Sequence, residues 1–270
     1  MNRSKFMPIS IAIVLLILAA GLASAGLAVG GANLEKSIAP GEHLSHVIKV
    51  ATSASDTPMD IHAEVFGYGQ SLQGLNTEQN ASLDKSPYTA RPFLKVSPSS
   101  FHLDPGKSQE VTLEGDIPKD VGSGGRYALV GVRTLPIGNG SVGFVLNIEV
   151  PIMLTINGSE IQNKGEIESL SIEEPISADK QQMSLTFKNI GNHHYNANVT
   201  AVVKDKDGQV VANASTPLVR PILPTYSRQV KLEITPNAPL KQGTYTADAT
   251  VSLADGTVLT TKETSFQVKS

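Results

Sequence analysis

The sequence predicts an all-β protein in which two β-sandwiches follow an N-terminal export segment. Apolar and polar residues alternate over many short runs, turn residues separate those runs, and no run has the apolar spacing of an amphipathic helix. The chain has 270 residues, which leaves room for about two domains after the export segment, because a domain takes roughly 150 residues.

The composition excludes several classes of function. Hydrophobic residues make up 40% of the chain, which is enough to form packed cores. The formal net charge is −3 and both signs are mixed along the chain, so we expect neither a nucleic-acid-binding surface nor a polybasic membrane patch. The absence of cysteine excludes disulfides, thiolate metal sites, cysteine nucleophiles and a lipoprotein anchor.

The N-terminal segment predicts the compartment. Basic residues precede a charge-free stretch that is most apolar from Ile11 to Leu22, and the small residues Ala23-Ser24-Ala25 follow. This pattern predicts a signal peptide, residues 1–25, that is cleaved before Gly26. The alternative is an uncleaved signal-anchor, because residues 6–32 are long enough to span a bilayer of about 30 Å. In both cases we expect an extracellular or cell-surface protein that meets the membrane only through this segment.

Alternating residues predict the strands of a first domain at residues 33–157. Residues 60–65 and 144–150 each place their apolar side chains at every second position. Successive side chains of a strand point to opposite faces of a sheet, so each run can turn one face to a core. Pro40-Gly41 and Pro105-Gly106 mark bends between strands.

A second domain is predicted at residues 165–270, after a polar segment at residues 157–165. Asp207-Gly208 and Asp255-Gly256 fit two-residue hairpin turns, because glycine supplies the positive φ that such turns require. The alternating runs of this half are residues 183–187, 230–234 and 245–253.

Two tyrosines predict the type of sandwich. Tyr127 and Tyr245 each follow a proline and a glycine, and each precedes a long strand. An immunoglobulin-like sandwich places a tyrosine near the start of its penultimate strand, where the hydroxyl ties down the preceding crossover. We therefore predict two tandem immunoglobulin-like β-sandwiches, with a structural role for both tyrosines.

The motifs that resemble catalytic or metal sites have the wrong context. Residues 138–143 match G-x-G-x-x-G, but strand-like residues on both sides predict a hairpin tip rather than a dinucleotide-binding turn. Residues 205–208 resemble the start of a calcium loop that lacks its final glutamate. His193 and His194 are adjacent, so on a strand they point to opposite faces and could share a metal only if the backbone bends away from strand geometry. We predict a non-enzymatic protein without catalytic residues, metal or cofactor.

Five asparagines begin acceptor sequons for N-glycosylation, which agrees with export. The protein is a glycoprotein if its host modifies any of them. Whether any is used depends on the host. These asparagines are Asn80, Asn139, Asn157, Asn198 and Asn213.

Two features are candidates for ligand binding. The polar loop at residues 69–91 is longer than most connections in a compact domain, so we expect it to be either functional or disordered. If it binds a ligand, Tyr88 is placed to stack on a sugar ring, and Arg91 closes the loop. The other candidate is a free sheet edge that accepts a strand from a partner.

The order of elements in the first half provides a further comparison. A Pro-Gly turn at residues 38–42 comes first and is followed by two strands, a polar loop and the segment 101–111. The last two strands contain Gly125-Arg126-Tyr127 and Val150-Pro151-Ile152. This order resembles the pilus-chaperone-like immunoglobulin fold. It is most similar to the first domain of the WxL-interacting cell-surface proteins.

The second half resembles the second domain of the same family, through residues 185–189, 239–245 and 265–268. The resemblance implies peptidoglycan binding by the first domain and binding of host proteins by the second. Members of that family end in a membrane-spanning helix with a basic tail, which has no counterpart before Ser270. We therefore expect anchoring through an uncleaved leader, through a partner, or not at all.

We predict an exported, non-enzymatic protein that attaches to cell-envelope polymer or to surface proteins. The alternative is a chaperone-like assembly factor that lends strands to the subunits of a surface structure. Such chaperones hold the C-terminus of the subunit with basic residues between their domains, and Arg126 and Arg133 are the nearest candidates here.

Overall fold

The computed structural model describes residues 26–136 and 145–269. The regular structure in these residues is β-strand, apart from one short 3-10 helix at Arg91–Phe93. The predicted all-β fold class is confirmed. The predicted leader, residues 1–25, and the predicted hairpin tip, residues 138–143, lie outside the described residues. No helix in the described part of the chain has the length and apolar character needed to cross a bilayer.

The first sandwich contains ten strands. They are β1 (Leu27–Gly30), β2 (Leu34–Ile38), β3 (His43–Thr52), β4 (Met59–Gln70), β5 (Asn76–Gln79), β6 (Lys95–Ser97), β7 (Ser100–Leu103), β8 (Ser108–Asp116), β9 (Gly125–Thr134) and β10 (Asn147–Ile156).

Two sheets of this sandwich enclose an apolar core. One sheet has the order β1-β3-β8-β6 and the other β2-β10-β9-β4-β5, with β7 also paired to β4. The chain changes from one sheet to the other between β1 and β2. Ile48, Leu113 and Ile152 lie fully buried between the sheets, as expected for the inward positions of alternating strands.

The second sandwich contains seven strands in sheets of three and four, which is an immunoglobulin-like arrangement. The sheet orders are β11-β12-β15 and β14-β13-β16-β17. Met183, Leu185 and Phe187 alternate along β12 and are buried in its core, as the sequence predicts. The strands are β11 (Gly165–Ile172), β12 (Gln181–Asn189), β13 (Tyr195–Lys204), β14 (Val210–Ile222), β15 (Ser227–Ile234), β16 (Gly243–Ser252) and β17 (Val258–Val268).

Each sandwich has its own apolar core, and among the described strands none of one sandwich pairs with a strand of the other. We propose that the two sandwiches are the two predicted domains, joined near residues 157–165. β1 lies before the predicted start of the first domain at residue 33, and it pairs with β3. The first domain therefore includes the residues from Gly26 onward.

The two tyrosines have different roles. The hydroxyl of Tyr245 donates to the carbonyl of Lys241 at 2.9 Å, which is the predicted tie to the preceding crossover. The prediction is wrong for Tyr127, whose hydroxyl contacts His194 of the second sandwich instead. The partner of Tyr127 is distant in sequence, so the local pattern could not reveal it.

Gly208 and Gly256 have the predicted positive φ, 79° and 88°. The predicted two-residue length is wrong, because the N–H of Asp205 donates to the carbonyl of Gln209 and leaves residues 206–208 as the loop; residues 254–256 form the second loop in the same way. The motif that resembles a calcium loop is part of the first turn. Asp205 Oδ1 accepts the backbone N–H groups of Asp207 and Gln209, both at 2.9 Å, so its carboxylate stabilises the turn. Within residues 26–136 and 145–269, no three His, Asp or Glu side chains are placed to hold a metal ion.

Candidate functional site

The outer edge of β10 is only partly covered. β9 pairs with β10 along one side over Asn147–Thr155, whereas β2 pairs with the other side, in parallel, only over Ile152–Ile156. Within the described residues, the segment Asn147–Pro151 therefore has an unpaired outer edge. Unpaired strand edges are templates for the addition of another strand.

Backbone geometry shows which groups point outward from this edge. The N–H of Ile156 donates to Gly124 and the carbonyl of Leu146 accepts from Thr134, so even-numbered residues of β10 face β9. The N–H and C=O groups of Asn147 and Glu149 consequently point away from β9. Pro151 occupies the next outward position, where its missing N–H costs no bond to β9.

A cavity of about 280 Å³ lies beside this edge, between the two sandwiches. Asn33, which directly precedes β2, lines one end of the cavity, next to the part of β10 that β2 leaves unpaired. The first sandwich supplies most of its wall and β14 of the second supplies the rest. The lining includes Tyr68, Gln70, Asn76, Pro151, Met153 and Arg220.

Positive charge characterises the side of the cavity that the second sandwich forms. Arg220 is exposed, and its Nη1 donates to the carbonyl of Gly74 at 3.4 Å. Arg228 is buried beside it, and within the described residues its Nε and Nη2 atoms have no hydrogen-bond partner. Burial, and then the charge of Arg220, lowers the pKa of Arg228. An acidic group of a ligand would therefore be stabilised on this side of the cavity.

The opposite wall presents neutral hydrogen-bonding groups. The hydroxyl of Tyr68 donates to Asn76 Oδ1 at 2.9 Å, and burial, followed by the charge of Glu149, raises the pKa of Tyr68. Burial and the nearby Glu78 raise the pKa of Glu149 on the edge strand itself. Among the lining residues, the cavity has an arginine on one side and the uncharged polar groups of Tyr68, Gln70 and Asn76 on the other.

Hydrogen bonds between the sandwiches hold the two walls together. The side chain of Gln70 bridges them, because Nε2 donates to the carbonyl of Pro221 at 2.9 Å and Oε1 accepts the N–H of Leu223 at 3.0 Å. The N–H of Gln229 donates to the carbonyl of Leu72 at 2.8 Å. These bonds join the β4–β5 hairpin to β14, β15 and the turn between them.

A buried trio at the other side of the junction adds to this contact. Tyr127 Oη accepts the backbone N–H of His194 at 2.8 Å and lies 3.1 Å from its Nδ1, and Nε2 of the same ring lies 3.2 Å from Glu35 Oε1. The carboxylate of Glu35 can only accept, so Nε2 donates to it; Nδ1 of the neutral ring is then an acceptor, and the hydroxyl of Tyr127 donates to it. Burial and the adjacent His193 lower the pKa of His194, and burial raises the pKa of Tyr127.

This protein is similar to known proteins in structure, but no sequence match is found. No protein-family model and no curated protein sequence matches this chain. Among solved structures, the E. coli chaperone DraB is 14% identical over 91% of this chain and 98% of its own, with a TM-score of 0.41. The class 5 fimbriae chaperone CfaA is 13% identical over 90% of this chain and 98% of its own, with a TM-score of 0.40. The Pseudomonas aeruginosa chaperone CupB2 is 9% identical over 87% and 97%, with a TM-score of 0.37.

These similar structures are chaperones with pilus-chaperone-like folds, as the order of elements in the first half suggested. Membership of the WxL-interacting family remains a prediction.

The predicted ligand loop is folded against the first sandwich. It contains β5, and the carboxylate of Asp84 is buried within it, where it accepts the hydroxyl of Thr89 at 2.5 Å and Nε of Arg91 at 3.4 Å. Tyr88 is half-buried, with the guanidinium of Arg126 5.7 Å from its ring centroid. Tyr88 and Arg91 are thus both engaged by neighbours, and their role in ligand binding remains a prediction.

The described sequon asparagines differ in exposure. Asn80, Asn157 and Asn213 are exposed, Asn198 is half-buried on β13, and Asn139 lies outside the described residues. Use of any sequon remains a prediction.

The two basic residues proposed for a chaperone function are already occupied. Arg126 is buried and donates to the backbone carbonyls of Val121, Ser123 and Gly125. Arg133 donates to Glu78 at 2.6 Å. The residues that line the cavity instead, above all Arg220, were missed because only the packing of the sandwiches brings β14 next to β4 and β10. A lone arginine between two prolines carries no local signal of such a position.

Proposed function

We propose that this protein is an exported, non-enzymatic assembly factor that holds another surface protein by pairing a strand of that protein with the outer edge of β10. The open edge at Asn147–Pro151, directly beside the cavity between the sandwiches, supports this proposal. Of the two functions predicted from the sequence, this is the strand-exchanging alternative.

Physical reasons favour strand addition at this position. Main-chain hydrogen bonds to an open edge provide affinity, and an adjoining pocket that receives a side chain provides specificity. An incoming strand would extend the line of β2 and would bond to the outward groups of Asn147 and Glu149. Its side chain at the cavity would meet Arg220, so we expect the partner strand to carry an acidic or polar residue there.

Export is part of the proposal. The leader at residues 1–25 fits a signal peptide, and an exported protein is placed to meet subunits of a surface structure.

A proline at Glu149 tests the proposal. Because the N–H of Glu149 points outward, Glu149→Pro removes one donor from the open edge without removing a bond to β9. Glu149→Gln is the matched control, because it keeps the N–H and the length of the side chain. A photo-cross-linking residue in place of Asn147 captures the partner in cells that produce the protein.

We expect Glu149→Pro to reduce the yield of cross-linked partner at least tenfold, whereas Glu149→Gln leaves it within twofold. The cross-linked peptide is expected to lie in a β-strand of the partner. Equal capture by both variants contradicts strand addition. Far-ultraviolet circular dichroism of both variants confirms that each is folded.

Attachment to an envelope polymer is the function that the family resemblance implies, and it remains a prediction. Co-sedimentation with purified envelope polymer separates it from strand addition. Polymer attachment that does not use β10 would be unchanged in Glu149→Pro, and strand addition would not.

A further inference from the structure

Asp56 is an unusual residue in the first sandwich. Only 6% of its surface is exposed, although it lies in the turn between β3 and β4. Its carboxylate accepts two backbone N–H groups, that of Ser53 at 2.5 Å and that of Gly26 at 2.9 Å. Within the described residues, no lysine, arginine or histidine side chain forms an ion pair with it.

A buried carboxylate without a cationic partner is costly. Two neutral N–H donors satisfy part of its hydrogen-bonding capacity, but they supply no compensating charge. Charges that are kept in folded proteins at this degree of burial are normally paired.

The donor at 2.9 Å is the residue that would begin the mature chain. Gly26 directly follows Ala23-Ser24-Ala25, the small-residue triplet that ends the predicted signal peptide. β1 starts at the next residue, and its pairing with β3 places Leu27 opposite Thr52. This register holds Gly26 beside the turn that carries Asp56, so the chain end there is fixed rather than free.

We propose that hydrolysis of the Ala25–Gly26 peptide bond during export creates an α-ammonium group on Gly26 that forms an ion pair with the buried carboxylate of Asp56. The export peptidase adds one water molecule across the bond. The hydroxyl group joins the carbonyl carbon of Ala25, which becomes a carboxylate, and the nitrogen of Gly26 takes up protons to become an ammonium.

The nitrogen that donates to Asp56 as a neutral amide thus gains a full positive charge at the same position. Charge-assisted hydrogen bonds are roughly twice as strong as neutral ones, so cleavage stabilises the first sandwich. Maturation and folding are then coupled through one contact between the new chain end and the β3–β4 turn.

The first test is the N-terminus of the protein isolated from cells that produce it. Mass spectrometry of the terminal peptide is expected to show a free amine on Gly26. A native terminus at any other residue, or an intact leader, overturns the proposal.

The second test measures the ion pair in the mature chain, residues 26–270. Urea unfolding compares the free terminus with an acetylated terminus, each with Asp56 and with Asp56→Asn. We expect acetylation to raise the unfolding equilibrium constant about tenfold when Asp56 is present, equivalent to about 1.4 kcal/mol, and less than twofold in the Asp56→Asn background. Equal effects in the two backgrounds overturn the proposal.

A third chain decides the matter if Asp56→Asn does not fold. Extension of the mature chain by Ala25 alone keeps the positive charge and the carboxylate but moves the ammonium one residue away. We expect this extension to raise the unfolding constant to a similar extent as acetylation. An extended chain as stable as the chain that begins at Gly26 contradicts the ion pair.

Discussion

The hydroxyl of Tyr127 offers a direct test of how the two sandwiches are joined. Tyr127→Phe removes one oxygen that accepts the backbone N–H of His194 and donates to its Nδ1. Tyr127 is 2% exposed and His194 8%, so both groups of His194 would be left without a partner in a nearly dry site. An unsatisfied buried polar group costs about 1–3 kcal/mol. With two such groups, we expect a loss of about 2–6 kcal/mol.

Urea unfolding followed by far-ultraviolet circular dichroism measures this loss. The backbone provides the signal, because the chain contains no tryptophan that could report unfolding by its fluorescence. Tyr88→Phe is the matched control, since Tyr88 is half-buried on the same side of the first sandwich and its hydroxyl makes no hydrogen bond within the described residues. We expect the control to change the free energy of unfolding by less than about 0.5 kcal/mol.

The location of the contact adds a second expectation. Because the bond joins the sandwiches, its loss is expected to separate one unfolding transition into two, or to lower the midpoint of one sandwich more than that of the other. A loss below about 0.5 kcal/mol in Tyr127→Phe, with a single unchanged transition, would refute the role given to this hydroxyl.

Three further predictions concern other parts of the molecule. Burial and a neighbouring histidine lower the pKa of His194 in the folded protein. The contribution of the neutral ring to stability is therefore complete above about pH 6.5 and is lost as the pH falls through the lower folded pKa. The urea midpoints at pH 7.5 and 5.5 should differ less in His194→Gln than in the unchanged protein. Asp84→Ala removes a buried carboxylate that pairs with Arg91, so we expect the free energy of unfolding to fall by about 2 kcal/mol. Limited proteolysis between residues 80 and 91 should become faster, and an unchanged cleavage rate would contradict this role. A Cβ at Gly115 would overlap the backbone carbonyl of Phe93, so thermal unfolding should show that Gly115→Ala lowers the free energy of unfolding by about 2 kcal/mol or more. Gly30→Ala is the control, because the atoms nearest to its Cβ lie 3.8 Å away, and equal losses in the two variants would contradict this packing.

The strands were predictable from the sequence because alternation is a local property. Residues 183–187, 230–234 and 245–253 each alternate, and they form parts of β12, β15 and β16. The period of two appears wherever one face of a strand is buried and the other is hydrated. Hairpin glycines were predictable for a similar reason, since a positive φ within a turn depends on the residue itself.

The candidate site was not predictable, because its members meet only through tertiary packing. Arg220 lies far from Tyr68 in sequence, and nothing near either residue indicates a shared cavity. The open edge of β10 depends on where β2 stops pairing, which the alternation of β10 alone does not encode. Asp56 has the same property, since its donor Gly26 is 30 residues away in the sequence and only the register of β1 reveals the contact.

The long polar loop shows how a sequence prediction can be incomplete. Its length and polarity predicted either a ligand loop or disorder. The structure has a folded segment that begins with the β4–β5 hairpin and is held by the buried carboxylate of Asp84. One buried aspartate in a polar stretch cannot be told from its exposed neighbours without the fold.

Amide hydrogen exchange along β10 tests the central claim most directly. In the free protein we expect the outward amides of Asn147 and Glu149 to exchange rapidly, whereas Ile148, whose N–H faces β9, is protected. When the cross-linked partner protein is purified and bound, exchange at the two outward amides should slow at least tenfold and Ile148 should change little. Unchanged exchange at Asn147 and Glu149 in a saturated complex would contradict strand addition at this edge.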